Sequence, residues 1–187
     1  FSVQSVWAMG SETAAIDRAG EAEVNLVVSS VGLPAAEFLR ERFGMPYVVG
    51  APLGDTVSAL LLGALQKSIH TGENEILPAG MPDAPDTVIL GESVTSRSLA
   101  AALLLDYGLC AEVICPVELP RELEGSFCRQ IEDEQDLQAA LSGARRVIAD
   151  PLFAPIVPQG AQFFPLPHEA YSGRIYRKQI PNLVTTW

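Results

Sequence analysis

The sequence predicts an α/β fold of two lobes, each a parallel sheet flanked by helices, and three observations carry that prediction. Residues 23–52, EVNLVVSSVGLPAAEFLRERFGMPYVVGAP, hold an apolar run at 24–28, a helical pattern opened by Pro34 and closed by Gly44, and a second apolar run at 47–49. Strand, helix and strand at such short spacing imply two parallel strands joined by the helix. The same order returns over residues 87–115, and between the two units lies HTGENEILPAGMPDAPD, dense in glycine, proline and acids. That composition reads as a linker. The domains expected are therefore 1–72, a linker 73–86, and 87–187.

Along the chain, residues 1–10 (FSVQSVWAMG) read as a strand rich in Val and Trp, and Ser11 as the N-cap of a weakly amphipathic helix over SETAAIDRAGEA. After the strand at 24–28, Leu33 to Phe43 form a helix in which Ala35, Phe38, Leu39 and Arg42 share a face. Pro34 fits its first turn, where no N–H is needed. Asp55 reads as N-cap of TVSALLLGALQKSIH, whose Leu60, Leu61, Leu62, Ala64 and Leu65 are apolar all round. A helix of that kind is covered on several sides, by the lobe or by a second subunit. In the second lobe a strand at 87–90, a loop GESVTS, an Ala/Leu helix over 98–107 and Gly108 at its C′ position precede a strand at 111–115. Residues 118–126 are irregular; 133–141 form an acid-started helix, 146–149 a strand, and 162–166 the last strand. Strand and helix alternating throughout imply Rossmann-like lobes with right-handed crossovers. In such lobes, ligands bind outside the carboxyl ends of the strands, in front of helix N-termini.

Composition removes several function classes. With 187 residues, 48% hydrophobic and 19% charged, the chain buries a core and is not disordered. A net charge of −11 and no cluster of Lys and Arg argue against nucleic acid or an acidic membrane as partner. No apolar run is long enough to span a bilayer and no leader pattern is present, so a cytoplasmic location is expected. The start at Phe1, inside a strand-like stretch, suggests part of a longer protein. Three cysteines make no disulfide framework. Cys110 and Cys115, five apart around a strand, fall on opposite faces, and Cys128 stands alone, so these read as core or edge cysteines and no metal-ligand set is assigned.

Three stretches in order carry a resemblance: NLVVSSVGLPAAEFLRERFGMPYVVGAPLGDTVSALL, VILGESVTSRSLAAALLLDYGLCAEVICP, and ADPLFAPIVP with LPHEAYSGRIYR. Together they resemble the nitrogenase component 1 type oxidoreductases, a family of nitrogenase subunits, cofactor-assembly scaffolds and dark-operative reductases of tetrapyrrole synthesis. The resemblance implies layered, chelatase-type lobes, a homo- or heterodimer with a homologous subunit, an iron–sulfur or related metal cluster or a tetrapyrrole as ligand, and an ATP-dependent iron–sulfur reductase as partner. It also implies that this chain covers the later lobes of such a subunit and performs no reduction unaided. At the strand end where the nitrogenase catalytic subunit has a cofactor-ligating cysteine, this chain has Ser29. His168, ahead of Tyr171-Ser172-Gly173, resembles the histidine at the cofactor's other end, and GESVTSR resembles the family's glycine-rich loop with its arginine.

The candidate residues are thus His168 in the catalytic role, with Ser29, Ser30, Gly91, Glu92 and Arg97 binding a cofactor. Each has a second use. Ser29 and Ser30 can cap the helix near Leu33; Gly91-Glu92 can be a plain turn; His168 can be a loop histidine bonded to backbone. His70 suits a helix C-terminus, and Arg97 opposes a helix dipole that an anionic ligand would offset. Arg174 and Arg177 around Tyr176 read as a solvated segment. Two functions follow: an oxidoreductase component whose inter-lobe cleft holds a reducible group, or a binding scaffold without redox turnover, the latter favoured by a serine hydroxyl where iron would want a thiolate.

Overall fold

A computed structural model describes residues 1–8, 11–77, 85–168 and 171–172. The fold is α/β, built on two all-parallel sheets flanked by helices. The first holds β1 (Asn25–Val27), β2 (Tyr47–Val49) and β3 (Glu75–Ile76) in that order. Between β1 and β2 runs α2 (Leu33–Phe43), with Pro34 in its first turn and Gly44 left-handed at its end, φ 69°. The helix over Gly54–Thr71, α3, leads from β2 to β3, and it follows α1 (Ala14–Asp17) and α2 in chain order.

The second sheet holds β4 (Thr87–Leu90), β5 (Ala111–Cys115), β6 (Cys128–Gln130), β7 (Arg146–Ala149) and β8 (Gln162–Pro165), with α4 (Ser93–Tyr107) and α5 (Glu134–Leu141) as crossovers. Its order is β6-β5-β4-β7-β8. The chain moves outward from β4 on one side, then returns to the other side at β7. That reversal creates a crevice between the carboxyl ends of β4 and β7, the topological switch point at which open α/β sheets bind ligands.

One apolar core serves both sheets. Val27, Leu33 and Val49 share a cluster with Ile89, Leu99, Ala100 and Val113. On its other flank α4 places Ala101 and Ala102 against Val48, Val57, Leu61 and Leu77. A helix with alanines on two sides can approach both layers closely, and α4 is the shared wall of the lobes. Polar bonds reinforce it: the N–H of Ala51 donates to Ser98 Oγ over 2.8 Å.

Several expectations are corrected. Residues 1–8 form no strand; Phe1, Val3 and Val6 are exposed, and Ser5 bonds instead to the carbonyl of Ala15. Residues 9–10 lie outside the described part. The helix expected from Ser11 shrinks to α1 and a 3-10 turn at Ala19–Glu21, since alanine-rich four-residue pieces gain little from packing. The buried stripe of α2 is Leu33, Ala36 and Leu39, while Phe38 is exposed. The stripe is displaced because the core lies on the side of β1 and α4, not under Phe38. On α3 only Gly54, Val57, Leu61 and Ser68 are buried, and Leu60 and Leu62 face outward. The expected linker contains β3, whose Glu75 and Ile76 pair with Val48 and Val49; residues 78–84 lie outside the described part. The fourth helix begins at Ser93, not Ser98, because Glu92 caps it. Residues 128–130, to which the sequence assigns no element, extend the second sheet as β6.

Candidate functional site

Glu92 follows β4 with extended backbone and turns its carboxylate back onto the first turn of α4. Oε1 accepts the N–H of Val94 over 3.1 Å and Oε2 that of Thr95 over 3.0 Å. Oε1 also accepts the N–H of Ser30 over 2.8 Å, from the loop after β1. One carboxylate, 3% exposed, therefore closes a helix end and ties it to the other lobe. Burial alone would raise its pKa; the N–H groups of Thr95, Ser30 and Val94 outweigh burial and hold it below the ordinary range. Gly91 lets the turn close: a Cβ there would stand 2.6 Å from Ser96 Oγ.

Asp150 plays the matching part after β7. It is 1% exposed, and Oδ1 accepts the N–H of Leu152 over 3.0 Å, starting the 3-10 helix Pro151–Ile156. Oδ2 accepts the N–H of His168 over 2.8 Å, together with the hydroxyl and N–H of Ser172 over 2.5 and 3.3 Å. Burial opposes its charge, yet these donors hold its pKa below the usual carboxylate value. His168 is thereby pinned above the crevice, with Nε2 3.4 Å from Thr95 Oγ1 and its ring tilted beside Tyr171. The Tyr171 ring meets Phe153 edge-on at 5.2 Å, and its hydroxyl is buried without a hydrogen-bond partner. Burial raises its pKa, and the nearby Cys115, Glu92 and Asp150 add to the rise.

Gly91, Glu92, Thr95, Asp150, Leu166 and His168 are among the residues that enclose a space of about 20 Å³ at the switch point. A larger depression of about 710 Å³ over Arg129, Glu132 and Asp136 is open to solvent and holds none of the convergent residues. The enclosed space, unlike the open depression, lies at the carboxyl edge of the sheet and gathers the buried charges of Glu92 and Asp150.

The structure brings together Ser30, Gly91, Glu92 and His168. Ser29, half-buried, precedes the 3-10 turn Ser30–Gly32 and makes no capping bond through its side chain. Arg97 is turned elsewhere: its guanidinium donates to the carbonyls of Leu123 at 2.9 Å and Leu77 at 3.3 Å. Gly173, Arg174, Tyr176 and Arg177 lie outside the described residues. Asp150 is absent from the sequence-based candidates, though an acid directly before a proline is a helix-start signal. Tyr171 had a signal only as part of the Tyr-Ser-Gly stretch.

Among the described residues no three His, Cys, Asp or Glu side chains are grouped to hold a metal ion. Cys115 and Cys128 are buried and Cys110 half-buried. Burial pushes the Cys115 thiol up to about 11, which keeps it protonated and unsuited to ligation.

The paired carboxylates set an acid limit. Both titrate lower in the folded chain, so the stability they supply is complete above their unfolded values near pH 4 and is lost as pH falls through the folded values. Unfolding free energy measured against pH should therefore fall below about pH 4, and Glu92→Gln or Asp150→Asn should each flatten that fall. An unchanged slope in both variants would contradict this assignment.

No curated protein and no solved structure matches the chain. A model of the nitrogenase component 1 type oxidoreductases matches residues 1–93, from the first lobe through Gly91 and Glu92 to the first residue of α4. Over residues 1–93 the chain is thus similar to the nitrogenase component 1 type oxidoreductases, and its parallel α/β layers are consistent with that likeness.

Proposed function

We propose that the chain forms two lobes of a nitrogenase-like oxidoreductase subunit that holds a metal cluster or tetrapyrrole-type ligand against the carboxyl ends of its strands. In this reading, a homologous subunit and an ATP-dependent iron–sulfur reductase are its partners. The observation that carries the reading is the meeting of three loops: Ser30 from the first lobe, Glu92 after β4, and His168 after β8, joined through Glu92, Thr95 and Asp150. His168 is the residue assigned to contact the ligand, as an imidazole donor or acceptor. Ser29, Ser30 and Gly91 shape the approach of the loop backbones.

Because the described residues supply no cluster ligands, no chemical step is assigned to a cluster. A cluster would take its thiolates from elsewhere, and this chain would contribute His168 and the enclosing walls. Ser29 favours the second reading, a scaffold that carries the same ligand without redox turnover, since a hydroxyl is a poor iron ligand. The full-length protein, purified without oxygen, tests both through its iron content and visible absorption. A coloured protein whose band bleaches on reduction supports the oxidoreductase. A band that does not respond supports the scaffold, and a colourless, iron-free protein contradicts both.

A further inference from the structure

The N-terminus of a helix in front of a parallel sheet is where such folds bind phosphate, because free N–H groups and the helix dipole favour an anion. In this chain that position is already filled. The Glu92 carboxylate takes the N–H groups of Val94 and Thr95 from α4 and of Ser30 from the facing lobe, at 2.8 to 3.1 Å. An incoming phosphate would find these donors taken and a buried negative charge in its place. The opposite wall repeats the obstacle, since Asp150 is buried there and accepts the N–H groups of Leu152, His168 and Ser172. Among the described residues no Lys or Arg lines the enclosed space, and Arg97, one turn along α4, spends its guanidinium on the carbonyls of Leu123 and Leu77.

We propose that Glu92 is a specificity-determining residue: its carboxylate serves as the internal anion of α4, so the crevice turns away phosphate and carboxylate groups and meets its ligand through neutral or cationic ones. The inference rests on the reading that the crevice holds a ligand, and it narrows that ligand. A tetrapyrrole would present its ring or its metal to this end and point its carboxylates away. A nucleotide would not be held here by its phosphates. Glu92 keeps its negative charge across the neutral range because its three N–H donors favour the ionised form.

The test uses amide chemical shifts of Ser30, Val94 and Thr95 together with thermal unfolding. Inorganic phosphate or ADP added to the wild-type chain should leave these amides unmoved. In Glu92→Ala, acetate should re-enter the vacated place, shift the same amides saturably and raise the melting temperature, binding about tenfold tighter than to wild type. Glu92→Ser retains a capping hydroxyl and gives the same readout if the alanine variant does not fold. Saturable phosphate shifts at these amides in wild type would overturn the proposal, as would acetate leaving the folded variants unmoved. These outcomes are independent of the iron and absorption measurement: a colourless protein that behaves as expected toward acetate retires the ligand reading and leaves the internal anion standing.

Discussion

Replacing Asp150 by alanine is expected to cost about 3 kcal/mol of stability, the sum of a lost helix cap and lost charge-assisted hydrogen bonds. The carboxylate accepts from Leu152, His168 and Ser172, and at 1% exposure water cannot replace it without rearrangement. Asp150→Asn keeps one acceptor oxygen and should cost about half as much. Denaturant unfolding reads both values. The larger consequence is positional: with Asp150 gone, the His168 N–H loses its buried acceptor, and the imidazole resonances should broaden or move in the alanine variant. A loss below about 1 kcal/mol with an unmoved His168 spectrum would show that the segment is held by other contacts.

Arg97→Ala is expected to cost about 2–3 kcal/mol, through the interior and not through a ligand. Its guanidinium spans two carbonyls that come from different parts of the fold, Leu123 before β6 and Leu77 after β3. Truncation leaves both oxygens short of a donor, and Leu123 itself is fully buried. Arg97→Lys can reach one carbonyl and should recover part of the loss, since an ammonium lacks the forked geometry. Thermal unfolding without any ligand separates this role from ligand contact. If Arg97→Ala melts like wild type but weakens ligand retention in the full-length protein, the residue belongs to the binding surface after all.

Much of the fold was legible because its punctuation is local. Pro34 and Gly44 bracket α2, Gly108 ends α4 with φ 66°, and Asp133 caps α5 by accepting from Gln135 and Asp136. These residues act on their own turn, so their meaning does not depend on what packs nearby. Failures occurred where a partner decides. Residues 1–8 have strand-forming side chains but pair with no described strand, whereas Cys128–Gln130 lack a strong strand pattern yet pair with Val113–Cys115. Edge strands take their stability from the neighbour that offers hydrogen bonds, and that neighbour is invisible in a local window.

The candidate site divides in the same way. Gly91, Glu92 and His168 were legible from their places after strands and in the family-like stretches. The bond from Ser30 to Glu92 was not, because it joins positions 62 residues apart. Asp150 escaped notice for a similar reason. Its cap to Leu152 is local, but its hold on His168 and Ser172 is made across the sheet edge. Arg97 drew attention for opposing the α4 dipole, and the structure shows that cost offset by two carbonyls instead of by a ligand.

Hydrogen exchange at the Ser30 amide reads the convergence of the lobes most directly. Ser30 sits in a short surface turn, where an amide without a partner exchanges freely, but its N–H is given to a buried carboxylate of the other lobe. The amide should therefore exchange as slowly as those in the core of α4, and Glu92→Ala should release it while leaving the Val48 and Val113 amides protected. A Ser30 amide that exchanges at the rate of an open loop in the wild-type chain would mean that the lobes do not meet through Glu92, and the site built on that meeting would fall.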